Sequence, residues 1–175
     1  MTIFFLTGCS PDDPVIPNEE EVITSVKLTL IPIGASSGAE FSYTDFDGDG
    51  GNDPVITFDT LEEGKTYKAS LSFLNEIEDP TENITEEIEE EAQEHQVFLV
   101  PSDSSAMTII YMDNDGAGYP LGIKSQFTTK KWGDYTLQVI LRHQPDKNAE
   151  GVSDGDPTNA GGETDIEVNF SVYIR

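Results

Sequence analysis

The two histidines of this chain, and the acidic segment before one of them, are its clearest candidates for metal chemistry. Glu87, Glu91 and His95 are spaced i, i+4 and i+8, so on a helix they share one face. Two carboxylates and an imidazole on one face are typical ligands of a transition metal ion. His143 ends a run of alternating apolar residues, where it could complete a site for zinc or copper. The alternative is that His143 is a hydrogen-bonded rim residue and that His95 is solvated.

A second candidate is the aspartate-rich loop that begins at Asp45. Asp45, Asp47 and Asp49 alternate as in the first half of a calcium loop, and Asp53 could add a further oxygen ligand. The twelfth position of such a loop is Ile56 here rather than the bidentate glutamate, so this is not an EF-hand. Asp, Asn and Gly are also the usual residues of a tight turn between strands. The sequence is therefore compatible with calcium binding and with a metal-free turn.

The charge of the chain excludes several classes of partner. Lys and Arg number 9 against 34 Asp and Glu, which gives a formal net charge of -25. Binding to phosphate groups needs clustered basic residues, so we predict no nucleic-acid partner. Contact with an anionic membrane through the protein's own charge is disfavoured for the same reason. No serine-hydrolase elbow, H-E-x-x-H motif or glycine-rich phosphate loop occurs, and we predict that the protein is not an enzyme.

The elements that must position these residues are predicted to be short strands. Apolar and polar residues alternate most clearly from Tyr67 to Phe73, from Tyr135 to Leu141 and from Ile166 to Ile174. Clusters of Gly, Pro, Asp and Asn separate these runs and indicate turns. The pattern predicts an all-β fold, an antiparallel immunoglobulin-like β-sandwich of about eight strands with one short acidic helical insertion. A parallel α/β sheet is disfavoured because no βαβ pattern repeats.

The helical insertion is predicted where the alternation breaks. Ile84, Ile88 and Ala92 recur every fourth residue, which indicates one apolar stripe on a helix from about Glu86 to His95. Adjacent glutamates repel one another and oppose a helix, so an irregular or strand-like acidic edge is the alternative. The shared face of the candidate metal ligands depends on the helix.

The first residues have the pattern of a bacterial lipoprotein signal. A short apolar run leads into Leu-Thr-Gly-Cys, which ends at the only cysteine, Cys9. Processing before Cys9 would expose it for lipid attachment; the alternative is an ordinary buried or reactive cysteine. The proline-rich acidic residues that follow predict an extended tether. We therefore divide the chain into a signal remnant at residues 1–9, a tether at 10–21 and a β-sandwich domain at 22–175.

Several blocks of the sequence resemble a family of small Bacteroidetes outer-membrane lipoproteins of uncharacterised function. The blocks are EEEVIT, DFDGDGGNDPVIT, LNEIEDPTENITEEIEEEAQEHQ, LRHQP and GVSDGDPTNAGGETDIEV. Members of that family are often found beside TonB-dependent receptors and are often labelled as type 1 periplasmic-binding-like. That fold is α/β, and the alternation of this sequence contradicts it. The resemblance implies a lipid-anchored accessory protein of an outer-membrane uptake system, but it implies no ligand and no catalytic residues. The acidic residues soon after Cys9 also resemble the export signal of Bacteroidetes surface lipoproteins, which is compatible with exposure at the cell surface.

These observations predict a lipid-anchored cell-envelope protein that captures a cation or metal complex and passes it to a TonB-dependent outer-membrane receptor. The alternative is a structural or interaction module whose acidic face docks a basic partner without a specific metal. A partner interaction that is salt-sensitive but survives metal chelation would favour the alternative. In either case the contact with the membrane is expected through the lipid anchor only.

Overall fold

The computed structural model describes residues 21–48 and 51–175. The predicted lipidation site Cys9, the signal remnant, most of the tether and Asp49 lie outside these described residues. The described elements are β1 (Ser25–Pro32), β2 (Ala39–Thr44), β3 (Val55–Thr57), β4 (Thr60–Leu61), β5 (Thr66–Leu74), α1 (Ile84–Glu90), β6 (His95–Pro101), β7 (Met107–Tyr111), β8 (Lys124–Thr129), β9 (Gly133–His143) and β10 (Glu163–Ile174), with two single 3₁₀ turns at Val152–Asp154 and Pro157–Asn159.

The strands form two sheets. Sheet A has the strand order β3-β2-β1-β5-β8-β7, and sheet B has the order β4-β10-β9-β6. All neighbours pair antiparallel except β4 and β10, which run parallel over a short bridge. The predicted antiparallel β-sandwich is thereby confirmed, with the short strands β3 and β4 bringing the number of strands in the described residues to ten.

The core lies between the two sheets and is built by the predicted alternation. Val26, Leu28 and Leu30 of β1 and Val168, Phe170 and Val172 of β10 are all buried and belong to one cluster. Because side chains alternate between the faces of a strand, each sheet turns one apolar face to this core. Across the gap the rings of Phe41 and Phe170 pack edge to face with centroids 6.0 Å apart. On the other face of sheet B, Phe98 and Ile140 form a second, smaller cluster with Val152 and Ala160.

Helix α1 lies against β5 and is shorter than predicted. The hydroxyl of Thr85 accepts a hydrogen bond from the backbone N–H of Phe73 at 2.8 Å and donates one to its carbonyl at 3.1 Å. The helix ends at Glu90 and the chain turns, so the prediction that it continues to His95 is wrong. Its last turn carries no basic residue, and carboxylates at the negative end of the helix dipole oppose extension.

After the turn, His95 opens strand β6. No helix in the described part of the chain is long and apolar enough to cross a membrane.

Candidate metal centre

The two histidines face each other at one end of the sandwich. Strand β6 pairs with β9 in a register that sets His95 directly opposite His143. Both side chains continue the inward-facing alternation of their strands, and their ring centroids are 4.6 Å apart. His95 is fully buried and His143 is 4% exposed, so the pair closes the end of the core. The sequence predicted the inward position of His143, and the strand pairing supplies its contact with His95.

Asp165 joins the histidines because strand β10 is irregular at this point. Thr164 pairs with Arg142 and Ile166 with Leu141, so the register shifts at Asp165, which is the extra residue of a β-bulge. A β-bulge of this kind re-aims one side chain, and bulges are common beside functional sites. The carboxylate of Asp165 thereby reaches the histidines instead of following the alternation of β10.

Glu21 supplies the second carboxylate from the residues that precede β1. Its Oε1 lies 3.1 Å from Nε2 of His95, and its side chain is only 9% exposed. Its other oxygen, Oε2, is buried and has no hydrogen-bond partner among the described residues. A buried carboxylate oxygen that has lost water without gaining a partner carries a desolvation cost. The carboxylate is therefore suited to a cation that bonds to it directly.

Glu21, His95, His143 and Asp165 form one group of ligand atoms, all within 4.8 Å of one another. A tetrahedral ion with bonds of about 2.0 to 2.2 Å needs ligand atoms roughly 3.4 Å apart. The contact between Glu21 and His95 is already at this spacing. The remaining ligand atoms would have to move inward by about 1 Å or less around such an ion.

The contacts of His95 leave Nε2 as its ligand atom. Its Nδ1 lies 3.3 Å from the backbone carbonyl of Glu91, which can only accept a hydrogen bond. Nδ1 therefore carries the proton in the neutral ring, and the lone pair is on Nε2, which faces Glu21. A histidine that donates its second nitrogen to a carbonyl is the usual arrangement of a metal ligand. Burial opposes a charged imidazole, but Glu21, the Glu91 carbonyl and Asp165 together raise the pKa of His95.

The structure does not bring the carboxylates of Glu87 and Glu91 into this group. Because α1 ends before Glu91, Glu87, Glu91 and His95 do not share a helical face as predicted. Glu91 contributes its backbone carbonyl instead of its side chain. Partial burial raises the pKa of Glu87, and so does the negative charge of neighbouring acids, which include Glu21. Of the predicted zinc or copper ligands, His95 and His143 come together here, while Glu21 and Asp165 take the places predicted for Glu87 and Glu91.

The aspartates of the predicted calcium loop are engaged in the turn itself. Oδ1 of Asp45 accepts hydrogen bonds from the backbone N–H groups of Asp47 at 3.2 Å and Gly48 at 2.9 Å. Oδ2 of Asp47 accepts from the backbone and side chain of Asn52, and these hydrogen bonds lower the pKa of Asp47. Asp53 is exposed, so calcium binding at this loop stays a prediction.

Sequence reasoning missed both carboxylates of the group. Glu21 was assigned to the tether because prolines and acids precede it, and Asp165 was not among the predicted ligands. No family model matches the chain, and a comparison with curated proteins found no similar sequence. The geometry of the group therefore carries the functional argument.

Proposed function

We propose that this protein is a cell-envelope metal-binding protein that holds a divalent transition metal ion at the end of its sandwich. The ligands are Glu21, His95, His143 and Asp165. The observation that carries the proposal is that two buried histidines and two carboxylates bring their ligand atoms within 4.8 Å of one another, while Oε2 of Glu21 is buried and has no hydrogen-bond partner among the described residues. Imidazole nitrogens and carboxylate oxygens are good ligand atoms, and a cation bonded to them would replace the water that folding has removed.

Zinc fits this donor set best. Imidazole nitrogens and carboxylate oxygens are its usual ligands besides thiolate, and it accepts four of them in tetrahedral geometry. Copper(II) also prefers imidazole but favours a square arrangement. Calcium and magnesium bind oxygen almost exclusively, so two histidines disfavour them at this centre.

The test is calorimetric titration of the full chain with zinc chloride near pH 7. It is carried out in a Cys9→Ser background, because Cys9 is the only thiol and would bind zinc itself. We expect one ion per chain. Zinc sites with four ligands contribute about 10–16 kcal/mol, so each ligand accounts for about 3 kcal/mol. Glu21→Gln and Asp165→Asn should therefore each weaken binding about 100-fold.

Glu87→Gln is the matched control, because this acid lies near the group but outside it. It removes the same charge and should change the affinity only a few-fold. If Glu87→Gln weakens zinc binding as much as Glu21→Gln does, the metal is held by the ligands predicted from the acidic segment instead. If zinc binds no more tightly than about 10 µM, the proposal fails and the four residues form only an ion-pair cluster. Copper titrated in the same way tests the second metal.

The cellular setting of the proposal rests on Cys9 and on the family resemblance. We place the protein in the outer membrane, anchored by lipid on Cys9, as an accessory of a TonB-dependent receptor that takes up the metal. Fractionation of cells that express the wild type or Cys9→Ser tests the anchor. We expect the wild type in the outer-membrane fraction and the variant in the soluble fraction. An unchanged distribution would contradict lipid anchoring.

A further inference from the structure

We propose that the cargo of this centre is the hydrated divalent ion itself, not an anionic chelate, and that it enters through a cleft beside Asp165. The inference rests on the proposed function, because it assumes that the centre binds a metal ion. It goes further by naming the form of the ion that is captured and the path that it takes. The cleft is lined by Ile23, Tyr43, Asp45, Gly48, Thr164, Asp165, Ile166 and Glu167.

The cleft opens to solvent and shares Asp165 with the centre. It has a volume of about 380 Å³. Gly48, Thr164 and Glu167 are exposed at its rim, whereas Asp165 is half-buried and belongs both to the cleft and to the ligand group. Ile23 lines the cleft two residues after Glu21. An ion in the cleft therefore meets Asp165 before it meets the buried histidines.

The charges along the cleft select for a cation. Asp45, Asp165 and Glu167 contribute carboxylates, and the residues that line the cleft include no Lys or Arg. Walls of one sign focus the field and raise the local concentration of ions of the opposite sign. The same field repels a metal held in a chelate of net negative charge, such as a citrate complex.

The size of the cleft agrees with a hydrated ion. Six waters at about 30 Å³ each occupy about 180 Å³, so an ion with its first shell fits with some room to spare. Binding then proceeds by exchange: each protein atom that bonds to the ion releases one water. The carboxylate of Asp165 exchanges first, and the nitrogens of the buried His95 and His143 follow.

Stopped-flow mixing of the full Cys9→Ser chain with cobalt(II) chloride tests the path, because the visible absorption of cobalt reports its bound state. The variant Asp45→Asn/Glu167→Gln removes two charges from the cleft but leaves the ligand group intact. Asn at position 45 keeps the acceptor oxygen that the turn needs. We expect the association rate to fall about tenfold, the lower end of the range over which such fields act.

The control variant is Glu40→Gln/Glu62→Gln, which removes the same charge from exposed positions that do not line the cleft. Its rate should stay within about twofold of the parent rate, since distant exposed charges are screened. Raising the NaCl concentration should slow the parent more than the cleft variant. Equal rates in the two double variants would overturn the entry path.

A second arm tests the form of the cargo. When cobalt is offered with excess citrate, we expect the rate to follow the concentration of free cobalt alone. A rate that rises with the concentration of the complex, or a bound species that retains citrate, would overturn the hydrated-ion proposal. Equilibrium titration of the parent with cobalt distinguishes a failure of the proposed function from a failure of the entry path alone. Absence of bound cobalt at equilibrium would overturn the proposed function together with this inference, whereas normal affinity with unchanged rates overturns the inference alone.

Discussion

Lys147 is the most deeply buried cation among the described residues, and it ties three loops together. Its Nζ lies 3.1 Å from Oδ2 of Asp115, with side chains that are 5% and 2% exposed. It also donates hydrogen bonds to the carbonyls of Ala92 at 2.7 Å and Pro120 at 3.4 Å. Breaking a buried pair costs more than the pair contributes, because the remaining charge stays out of water. Lys147 therefore fixes the turn after α1 beside the loop that precedes β8.

Removing Lys147 alone should be strongly destabilising. Lys147→Met leaves the buried carboxylate of Asp115 unpaired, and we expect the free energy of unfolding to fall by about 3–5 kcal/mol. Adding Asp115→Asn should restore part of this loss, because the unpaired charge is gone. Lys131→Met is the control, since Lys131 pairs with Asp103 at the surface and its side chain is 61% exposed. Urea unfolding near pH 7 measures the free energy of unfolding of all three variants. If Lys147→Met loses no more stability than Lys131→Met, the buried pair does not hold the loops as described.

The same pair gives a pH dependence with a defined sign. Burial opposes ionisation of Asp115, but Lys147 and the backbone N–H groups of Tyr119 and Ala117 outweigh it and lower the pKa of Asp115. The unfolded value is about 3.9, so the stabilisation is complete above that pH and is lost as the pH falls through the lower folded value. Burial lowers the pKa of Lys147 despite its partner, yet lysine stays protonated in acid. On the acid side of neutrality, where Lys147 stays protonated, the difference between wild type and Lys147→Met/Asp115→Asn should therefore change only below about pH 4.

At the scale of the elements, the strands could be predicted because burial of one face produces an alternation of apolar and polar residues in the sequence. Tyr67, Ala69, Leu71 and Phe73 of β5 are all buried, as their alternation with polar residues predicts. The helix end could not be predicted in the same way. The four-residue spacing continues from Ile88 to Ala92, but the pairing of β6 with β9 pulls the following residues into the sheet.

The candidate centre was only half predictable for a related physical reason. His143 could be placed on the inner face because it extends the alternation of β9. Asp165 could not, since a bulge adds one residue to a strand and leaves no fixed signal in composition or period. Glu21 could not either, because an acid beside a proline-rich stretch resembles every other acid of a solvated tether. Long-range pairing determines which carboxylates meet the histidines.

At the scale of the whole molecule, the dominant feature is the surplus of negative charge. The formal net charge of -25 is spread over a chain of 175 residues whose described ion pairs lie mostly at the surface. Exposed pairs contribute about 0–1 kcal/mol each, so they offset little of the repulsion among the remaining carboxylates. A large net charge keeps a protein soluble but destabilises its compact state. The surplus that favours capture of cations is therefore expected to weaken the fold at low salt.

Salt should consequently stabilise the metal-free protein while it slows metal capture. Raising NaCl from about 10 to about 150 mM shortens the screening length from about 30 to about 8 Å, which removes most repulsion between distant carboxylates. If this relieves about 1 kcal/mol, Tm should rise by about 2–4 °C for a domain of this size. Calorimetric melting in the presence of EDTA measures the effect, with choline chloride at equal ionic strength as the control for sodium binding. A fall in Tm would mean that attractive pairs outweigh repulsion. A rise that needs sodium would indicate specific sites, because screening depends on ionic strength and not on which monovalent cation provides it.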